Sequence, residues 1–391
     1  MKLTGMIELG RGGIADYAHD QAIALADRGI DFELLCVPSF MEGRSFSYPV
    51  LPILKELRTA PPHPSRLVRG VKMVTSHLAN MRILARHVRA RRSEAVLLHF
   101  SEYMAPLWAW RLREVRRRGV KMLSVLHDPV RDYVVGPAWW HALSIRQAYS
   151  FLDTALVHTR DSVPVPADVQ VTWVPYGIHP YPPAERSRDV VRAELGIPAE
   201  ARLITSFGYI RDNKNLDLVL RAMADMPDLY LLVAGSEQAG GNRPMSFYRD
   251  LATELGCDDR CRWLNRFVST AEAADLMNAS DLSLLVYARS FVSSSAALGV
   301  TANYRLPSLV SNGSNTIEAM VKQYRLGIWV EPDSVEAIRQ GLREWLAGDL
   351  VPDWEGYSRD HSWVRNAAIV HETIQAAGPD RRNGRQGDSR S

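Results

Sequence analysis

Short apolar runs with strand-like composition alternate with helix-periodic segments along nearly all of the 391 residues. This alternation predicts an α/β fold with parallel sheets covered by helices, because the crossover between two parallel strands is usually a helix. A chain of this length is long enough for two domains with separate cores. The runs that we interpret as strands lie near residues 2–9, 32–37, 95–100, 121–126, 153–158, 171–174, 202–207, 229–234, 261–264, 282–286, 308–311 and 327–330.

The segment Tyr181–Arg188 divides these strands into two groups. It contains two prolines and mixed charges, which indicates a hinge between two doubly wound units. We therefore predict an N-terminal Rossmann-like domain over residues 1–180 and a C-terminal one over residues 181–360. Residues 378–391 are polar and lack apolar anchors, so they are predicted to be a disordered tail.

The stretch Ile204–Asn215 carries the clearest functional signal. An apolar strand runs into Gly208, then Arg211 and Lys214 follow within one turn of each other, and a helical pattern resumes at Leu216. A glycine turn, two fixed cations and a helix start together predict a pocket for a diphosphate. The alternative interpretation is a solvated turn whose two cations have no role.

A similar turn follows the first strand. It reads Gly10-Arg11-Gly12-Gly13-Ile14 and opens a helical pattern, so the backbone there can approach an anion closely. The turn differs from the Gly-x-Gly-x-x-Gly dinucleotide fingerprint because no third glycine falls three residues on. No acidic residue at a strand end stands out as a ribose ligand, so a nicotinamide-dependent enzyme is disfavoured.

Composition argues against several other classes. Three cysteines are too few for a disulfide framework, and Cys257 and Cys261 have no histidine beside them at the spacing of a zinc site. No apolar run reaches the roughly 20 residues that a membrane span needs, and Met1 leads directly into a strand rather than a signal peptide. We therefore expect a cytoplasmic protein without an essential metal or cofactor.

Positive charge is concentrated in one part of the chain. The net charge is only +3, yet residues 51–100 contain ten Lys or Arg against two acidic residues. Most lie in Arg66–Arg92, whose pattern predicts a basic amphipathic helix able to lie on an anionic membrane surface. Arg116, Arg117, Arg118, Trp139 and Trp140 extend this prediction of a peripheral protein on the inner face of the plasma membrane. The alternative is an ordinary helix with a cationic solvent face, and nucleic acid is disfavoured because no interleaved aromatic platform is present.

Over residues 1–377 the chain resembles a glycosyltransferase of the GT-B fold, specifically the retaining family 4 type. The resemblance rests on weak motifs in the family's order. They are Gly12-Gly13-Ile14, Arg28-Gly29-Ile30, Leu126-His127-Asp128-Pro129, Trp173–Ile178, Phe207–Lys214, Ala279–Leu282, Arg305-Leu306-Pro307, Ser311-Asn312-Gly313, Ile317-Glu318, Leu326-Gly327-Ile328 and His361-Ser362-Trp363. The resemblance implies two Rossmann-like domains facing a cleft, with a helix at residues 361–377 that packs back on the N-terminal domain.

The sequence departs from the family pattern at several positions. The family carries two glutamates that grip the donor, and the matching positions here are about Val292 and Val300, which cannot accept a hydrogen bond. Tyr287, Arg289 and the run Ser293-Ser294-Ser295 stand nearby instead, and hydroxyls at a helix start can still hold a diphosphate. Arg305 replaces an expected glycine, and Tyr209 replaces the loop arginine, with Arg211 two places further on.

The resemblance implies a role for each candidate residue. Arg211 and Lys214 would stabilise the charge that develops on the leaving β-phosphate, and His127 would touch the donor sugar or that charge. The alternative interpretation of His127 is a strand-end cap bonded to Asp128, and Glu318 either bonds donor hydroxyls or caps a helix. The other donor-side candidates are Gly12, Gly13, Gly208, Tyr209, Arg266, Phe267, Val268, Tyr287, Ser293, Ser294 and Ser295, and the acceptor-side candidates are Asp16, Glu102, Tyr103 and Asp128.

Three functions remain open from the sequence. The first is a retaining glycosyltransferase that moves a sugar from a nucleotide-sugar donor to a glycan or lipid-linked acceptor, as in polysaccharide biosynthesis. The second is a glycosyltransferase-like protein that binds a nucleotide or a partner without turnover. The third is another GT-B enzyme, such as an epimerase or an inverting transferase, in which Asp16 or Asp128 would serve as the base.

Overall fold

A computed structural model of the chain describes residues 1–57, 65–100, 102, 104–127, 129, 134, 136–238, 241–292, 296–348 and 350–376. The predicted tail at residues 378–391 lies outside this set. Five of the candidate site residues also lie outside it, namely Tyr103, Asp128, Ser293, Ser294 and Ser295.

The chain divides into two compact units. The N-terminal unit comprises Met1–His158, Val163–Gly177 and the C-terminal helix that begins at Trp363, and the C-terminal unit comprises Thr159–Ser162 and Ile178–Ser362. The domain boundary predicted at residues 180 and 181 lies close to Ile178.

Each unit is built on one parallel sheet, as predicted. The N-terminal sheet has the order β3-β2-β1-β4-β5-β6-β7, and the C-terminal sheet has the order β10-β9-β8-β11-β12-β13. The strands are β1 (Lys2–Ile7), β2 (Asp31–Cys36), β3 (Val50–Leu51), β4 (Ala95–His99), β5 (Lys121–Leu126), β6 (Thr154–Val157), β7 (Gln170–Trp173), β8 (Arg202–Phe207), β9 (Leu229–Ala234), β10 (Cys261–Leu264), β11 (Leu282–Val286), β12 (Ser308–Ser311) and β13 (Gly327–Trp329).

Helices connect the strands. They are α1 (Gly13–Asp27), α2 (Arg66–Arg91), α3 (Ala105–Arg117), α4 (Ala138–Tyr149), α5 (Arg188–Glu194), α6 (Leu216–Met223), α7 (Met245–Glu254), α8 (Thr270–Ala279), α9 (Ala296–Asn303), α10 (Asn315–Tyr324), α11 (Val335–Ala347), α12 (Trp354–Asp360) and α13 (Trp363–Ala376). The central strands β4, β6 and β11 are buried along their whole length, as expected for strands covered on both faces.

Twelve of the thirteen strands in the described part of the chain fall where the apolar runs predicted them. The strand that the sequence did not predict is β3, because two residues are too few to form a readable apolar run. The sequence therefore located nearly every strand, but it did not predict the order in which the strands pair.

The basic helix α2 differs from its prediction. Its second half is amphipathic, with Met81, Leu84 and Val88 buried in the core, whereas Leu67 and Val71 in its first turns are 76% and 56% exposed. The single apolar face that the pattern suggested is therefore divided into a packed half and a solvent-facing half.

Two further predictions concern membranes and thiols. Within the described ranges, no helix combines the length and the apolar character that a membrane crossing requires. Cys36, Cys257 and Cys261 are buried free thiols.

Candidate functional site

Both sheets have a point at which the strand order reverses. In the N-terminal unit it lies between β1 and β4, and in the C-terminal unit between β8 and β11. The loops at the carboxyl ends of these strands diverge and leave a crevice, which is where doubly wound sheets bind ligands. The two glycine turns singled out in the sequence follow β1 and β8, so each lies at a switch point.

The backbone after β8 turns sharply at Gly208. Its φ of 90° lies in the left-handed region that favours glycine. A Cβ atom on Gly235, which follows the neighbouring strand β9, would lie 2.2 Å from the carbonyl oxygen of Gly208. Glycine at both positions lets the two strand ends approach each other and brings the loop 208–214 over the sheet edge.

Lys214 folds back over this turn. Its Nζ donates a hydrogen bond to the carbonyl oxygen of Phe207, and it would lie 3.6 Å from a Cβ atom placed on Gly208. Burial and the neighbouring Arg211 guanidinium lower the pKa of Lys214 to about 7. The charged form is therefore poorly compensated, and an anion beside it would stabilise that form.

Arg211 is the second cation of the loop. Its guanidinium lies 5.6 Å from the ring centroid of Tyr209, and its buried Nε has no hydrogen-bond partner among the residues that the structure describes. Among the described residues, no carboxylate lies within 4.0 Å of Arg211 or Lys214. Two neighbouring cations without an acidic partner form a site for an anion.

Asp212 anchors the loop from beneath. Its Oδ1 accepts hydrogen bonds from the backbone N and Nε of Arg243 and from the Tyr248 hydroxyl, at 3.0, 3.1 and 2.9 Å. Burial alone would raise the pKa of Asp212, but these hydrogen bonds outweigh it and lower the pKa. Asp212 lies between Arg211 and Lys214 in the sequence, but its carboxylate bonds to Arg243 and Tyr248 and does not neutralise those two cations.

The loop after β11 forms the other side of this switch point. Tyr287 is buried and stacks on Phe291 with ring centroids 4.3 Å apart. The Ala288 backbone N donates to the carbonyl oxygen of Asn213 at 2.8 Å, which ties the two loops together. Arg289 is exposed and pairs with Glu331, so it is not an additional free cation.

Two other sequence motifs of this unit fold into capped or paired structures. Glu318, in the first turn of α10, forms an ion pair with Lys322 one turn further on. Ser314 caps the same helix by accepting a hydrogen bond from the Thr316 backbone N at 3.3 Å.

Arg305 has a φ of 49°, the region in which glycine is favoured, which explains why the family pattern has glycine at that position.

The segment after β10 presents one aromatic ring to solvent. Phe267 is 81% exposed, whereas Val268 is buried and Arg266 is held by a bidentate ion pair with Glu272. An exposed ring next to a buried anchor offers a flat surface on which a nucleobase can stack.

In the N-terminal unit, the turn after β1 starts α1 without a side-chain cap. Gly12 has a φ of 91°, and its carbonyl oxygen accepts a hydrogen bond from the Ala15 backbone N at 2.8 Å. Asp16, in the first turn of α1, forms an ion pair with Arg44 at 2.5 Å. The Asp16 carboxylate is therefore held in an ion pair within the N-terminal unit.

A cluster of histidines lies at the carboxyl ends of three consecutive strands. His99 ends β4, His127 follows β5 and His158 follows β6. His99 Nδ1 and His127 Nε2 form a hydrogen bond of 3.3 Å, with the tautomer deciding which of them donates. Burial and His158 lower the pKa of His99 to about 3, and burial with His158 and His99 holds the pKa of His127 well below 6.5. These two imidazoles are therefore neutral at pH 7.

Tyr17 packs against all three histidines, with ring centroids 4.8 to 5.8 Å away. Its hydroxyl accepts a hydrogen bond at 2.7 Å from Asn366 on α13, which also donates to the carbonyl oxygen of Pro175 at 2.8 Å. Trp363, the first residue of α13, contacts the Tyr17 ring at 4.9 Å. The helix α13 thus packs on α1 and supports the histidine cluster.

The remaining acceptor-side candidate that the structure describes is Glu102. It is buried and accepts a hydrogen bond from the Tyr149 hydroxyl at 3.4 Å. In the described part of the chain, no group of three or more His, Cys, Asp or Glu side chains is arranged to hold a metal ion.

Sequence reasoning named His127 but missed His99, His158, Tyr17 and Asn366. A usable signal was present, because three successive strand-like runs each end at a histidine and parallel strands bring such ends to one edge. No such signal existed for Asn366, which reaches Tyr17 from the far end of the chain.

The chain is similar to known proteins over part of its sequence. Residues 187–368 match the family model for glycosyl transferases group 1. A D-inositol 3-phosphate glycosyltransferase of Mycolicibacterium smegmatis is 34% identical over 96 residues, which cover 23% of this chain and 22% of that protein. The chain therefore matches about a fifth of the length of this curated relative.

Solved structures resemble the chain over nearly its full length. A glycosyltransferase from Rickettsia africae aligns with a TM-score of 0.69 at 14% identity, covering 96% of this chain and 98% of its own. Anabaena HepE, solved in complex with UDP, aligns with a TM-score of 0.70 at 14% identity, covering 96% of this chain and 100% of its own. These alignments confirm the predicted two-domain fold.

Proposed function

We propose that this chain, a GT-B-fold protein whose residues 187–368 match the family model for group 1 glycosyl transferases, moves a sugar from a nucleotide diphosphate-sugar to a hydroxyl group. The observation that carries the proposal is the pair of cations at the switch point after β8, Arg211 and Lys214, which have no carboxylate partner among the described residues. The UDP bound to HepE makes uridine diphosphate sugars the first donors to test.

The proposed reaction develops negative charge that these two cations can stabilise. Breaking the bond between C1 of the sugar and the phosphate oxygen leaves negative charge on the β-phosphate. Arg211 and Lys214 stabilise that charge from a partly dehydrated loop, where such interactions are stronger than in water. The anchoring of Asp212 by Arg243 fixes the loop before the substrate arrives. The proposal includes no metal cofactor.

The proposal further assigns retention of the anomeric configuration. In a retaining transfer the leaving phosphate takes the acceptor proton on the same face of the sugar, so no dedicated carboxylate base is needed. The ion pair that engages Asp16 with Arg44 supports this assignment. His127 would donate a neutral hydrogen bond to the sugar, in keeping with its lowered pKa.

The proposed acceptor is a lipid-linked or polysaccharide-precursor glycan, reached by peripheral docking on the cytoplasmic side of an anionic membrane. The exposed apolar residues at the start of α2 support this docking, and Trp139 on α4 is 67% exposed. Arg116 contributes less than its sequence position suggested, because it pairs with Asp153 at 2.8 Å. The similarity to a D-inositol 3-phosphate glycosyltransferase makes inositol 3-phosphate the first soluble acceptor to test.

A panel of uridine, guanosine and adenosine diphosphate sugars tests the function. We expect the wild-type protein to hydrolyse one of them slowly and to transfer its sugar when acceptor is added, with the product retaining the donor's configuration. Binding of a nucleoside diphosphate without turnover would replace the proposal with the non-enzymatic alternative, and an inverted product would replace retention. Co-sedimentation with phosphatidylglycerol vesicles at low salt tests the docking, which fails if the protein stays in the supernatant.

A further inference from the structure

A cationic cavity of about 770 Å³ lies in the N-terminal unit, between the end of α2 and α3. Ser93 and Val120, which line it, precede β4 and β5, so the cavity is at the amino edge of the sheet. The switch point described above is at the carboxyl edge. We call this cavity the arginine groove and define it by five residues, Arg82, Arg86, Arg89, Arg92 and Arg111.

The five arginines lack acidic partners in the described part of the chain. Within the described residues, no carboxylate lies within 4.0 Å of any of them, and the single acidic side chain in the lining, Glu114, pairs with Arg117 and Arg118. Other arginines of the same helices are bonded, since Arg91 pairs with Asp31 and Glu33.

One guanidinium is also fixed in place. Arg111 lies 4.2 Å from the ring centroid of Trp110, which holds it over an aromatic face. Partial burial lowers the pKa of Arg111, and the nearby Arg82 and Arg86 lower it further. The groove therefore concentrates positive charge at a local electrostatic cost, which a bound anion would reduce.

We propose that the arginine groove binds a soluble anion carrying two or more phosphate groups. Guanidinium groups match phosphate oxygens with paired hydrogen bonds, and they remain charged at all relevant pH values. Five of them around one cavity exceed what a single phosphate can use. The apolar floor, which includes Val88 and Val115, excludes water and strengthens each contact.

A bilayer is a poorer occupant of this groove. The exposed apolar residues that a membrane interface would take up, Leu67 and Val71, lie at the other end of α2. At about 1.5 Å per helical residue, Leu67 is roughly 30 Å from the groove residue Arg86. The site is also independent of the proposed glycosyl transfer, because its residues belong to a different unit from Arg211 and Lys214.

Calorimetric titration with inorganic tripolyphosphate tests the proposal. The titration uses the full-length chain carrying Arg211→Ala and Lys214→Ala, so that the loop after β8 does not contribute. We expect binding that weakens with added salt, and a loss of about 100-fold or more when Arg86→Gln, Arg89→Gln and Arg111→Gln are combined. A matched variant with Lys72→Gln, Arg249→Gln and Arg343→Gln removes the same charge elsewhere and should retain the affinity within about threefold.

Three outcomes would overturn the proposal. The first is no tripolyphosphate binding at millimolar concentration, and the second is an equal loss in the groove variant and the matched variant. The third is groove-dependent binding to phosphatidylglycerol vesicles without tripolyphosphate binding, which would assign the groove to a membrane instead. Circular dichroism of the groove variant guards against misfolding, and removal of like charges should leave its melting temperature unchanged or higher.

Discussion

In the part of the chain that the structure describes, the loop after β8 holds two cations without a carboxylate partner, whereas the two arginines at the loop after β1 are already paired. Arg44 is held by Asp16, and Arg11 pairs with Glu42. Behind the β1 loop lie neutral histidines rather than charges. The same position in two similar sheets therefore carries charge for an anion in one unit and neutral hydrogen-bonding groups in the other.

This difference shows which unit can supply charge to the proposed reaction. A diphosphate needs fixed positive charge, which the loop after β8 in the C-terminal unit carries. The neutral imidazoles of the N-terminal unit can exchange hydrogen bonds with hydroxyl groups without attracting an anion. The fold alone does not create this division, because both switch points have the same topology.

Removing the charge from the loop after β8 should have the largest effect. Arg211→Ala and Lys214→Ala should each lower kcat about 100-fold or more, because each removes a preorganised contact to the developing phosphate charge. Steady-state kinetics with the donor identified in the panel gives the values. Arg343→Ala, an exposed arginine on α11, serves as the control and should keep wild-type kinetics. Near-normal activity in both loop variants would remove these residues from the site.

The pH dependence of donor binding separates the two regions further. Lys214 must be protonated to bind a phosphate, and its pKa in the free protein is about 7. Affinity for the nucleoside diphosphate should fall by up to about tenfold per pH unit as the pH rises above 7. Titration between pH 6 and 9 measures this, and Lys214→Arg should abolish the decline. A wild-type affinity that stays flat to pH 9 would mean that Lys214 does not contact the phosphate.

The smallest effect concerns the stability of the fold at mildly acidic pH. The pKa of His99 is lowered from 6.5 to about 3 in the folded protein, so the unfolded chain binds more protons between these values. The stability that neutral His99 contributes is therefore complete above pH 6.5 and is lost as the pH falls toward 3, by up to about 1.4 kcal/mol per pH unit. Urea unfolding of the wild type and of His99→Asn, compared from pH 7 to 5, reports the difference in slope. Identical slopes would show that His99 is not held neutral.

The two regions also differ in how far the sequence predicts them. The Gly208–Lys214 loop is contiguous, so a strand, a turn residue, two cations and a helix start can be read directly. The cluster around Tyr17 is assembled from the ends of three strands, from α1 and from Asn366 on α13, and only the topology brings these together. Local motifs are readable, whereas sites assembled from distant segments are not.

For the same reason, the sequence does not show which charged residues form ion pairs. Arg116 and Asp16 were both candidates for functional roles in the sequence, yet each forms an ion pair with a residue distant in the chain. The unpaired arginines of the groove lay in the same basic segment and had no distinguishing pattern. Which charges are free depends on partners that local sequence does not specify.

Titration of nucleoside diphosphates tests the central claim most directly, since that claim is that Arg211 and Lys214 hold the diphosphate of a nucleotide-sugar. Uridine, guanosine and adenosine diphosphate would be titrated into the wild type, the double variant Arg211→Ala/Lys214→Ala, and the control Arg343→Ala. We predict that one nucleotide binds the wild type and the control equally and binds the double variant about 100-fold or more weakly. Equal affinity in the wild type and the double variant, or no binding of any of the three nucleotides to the wild type, would contradict the account.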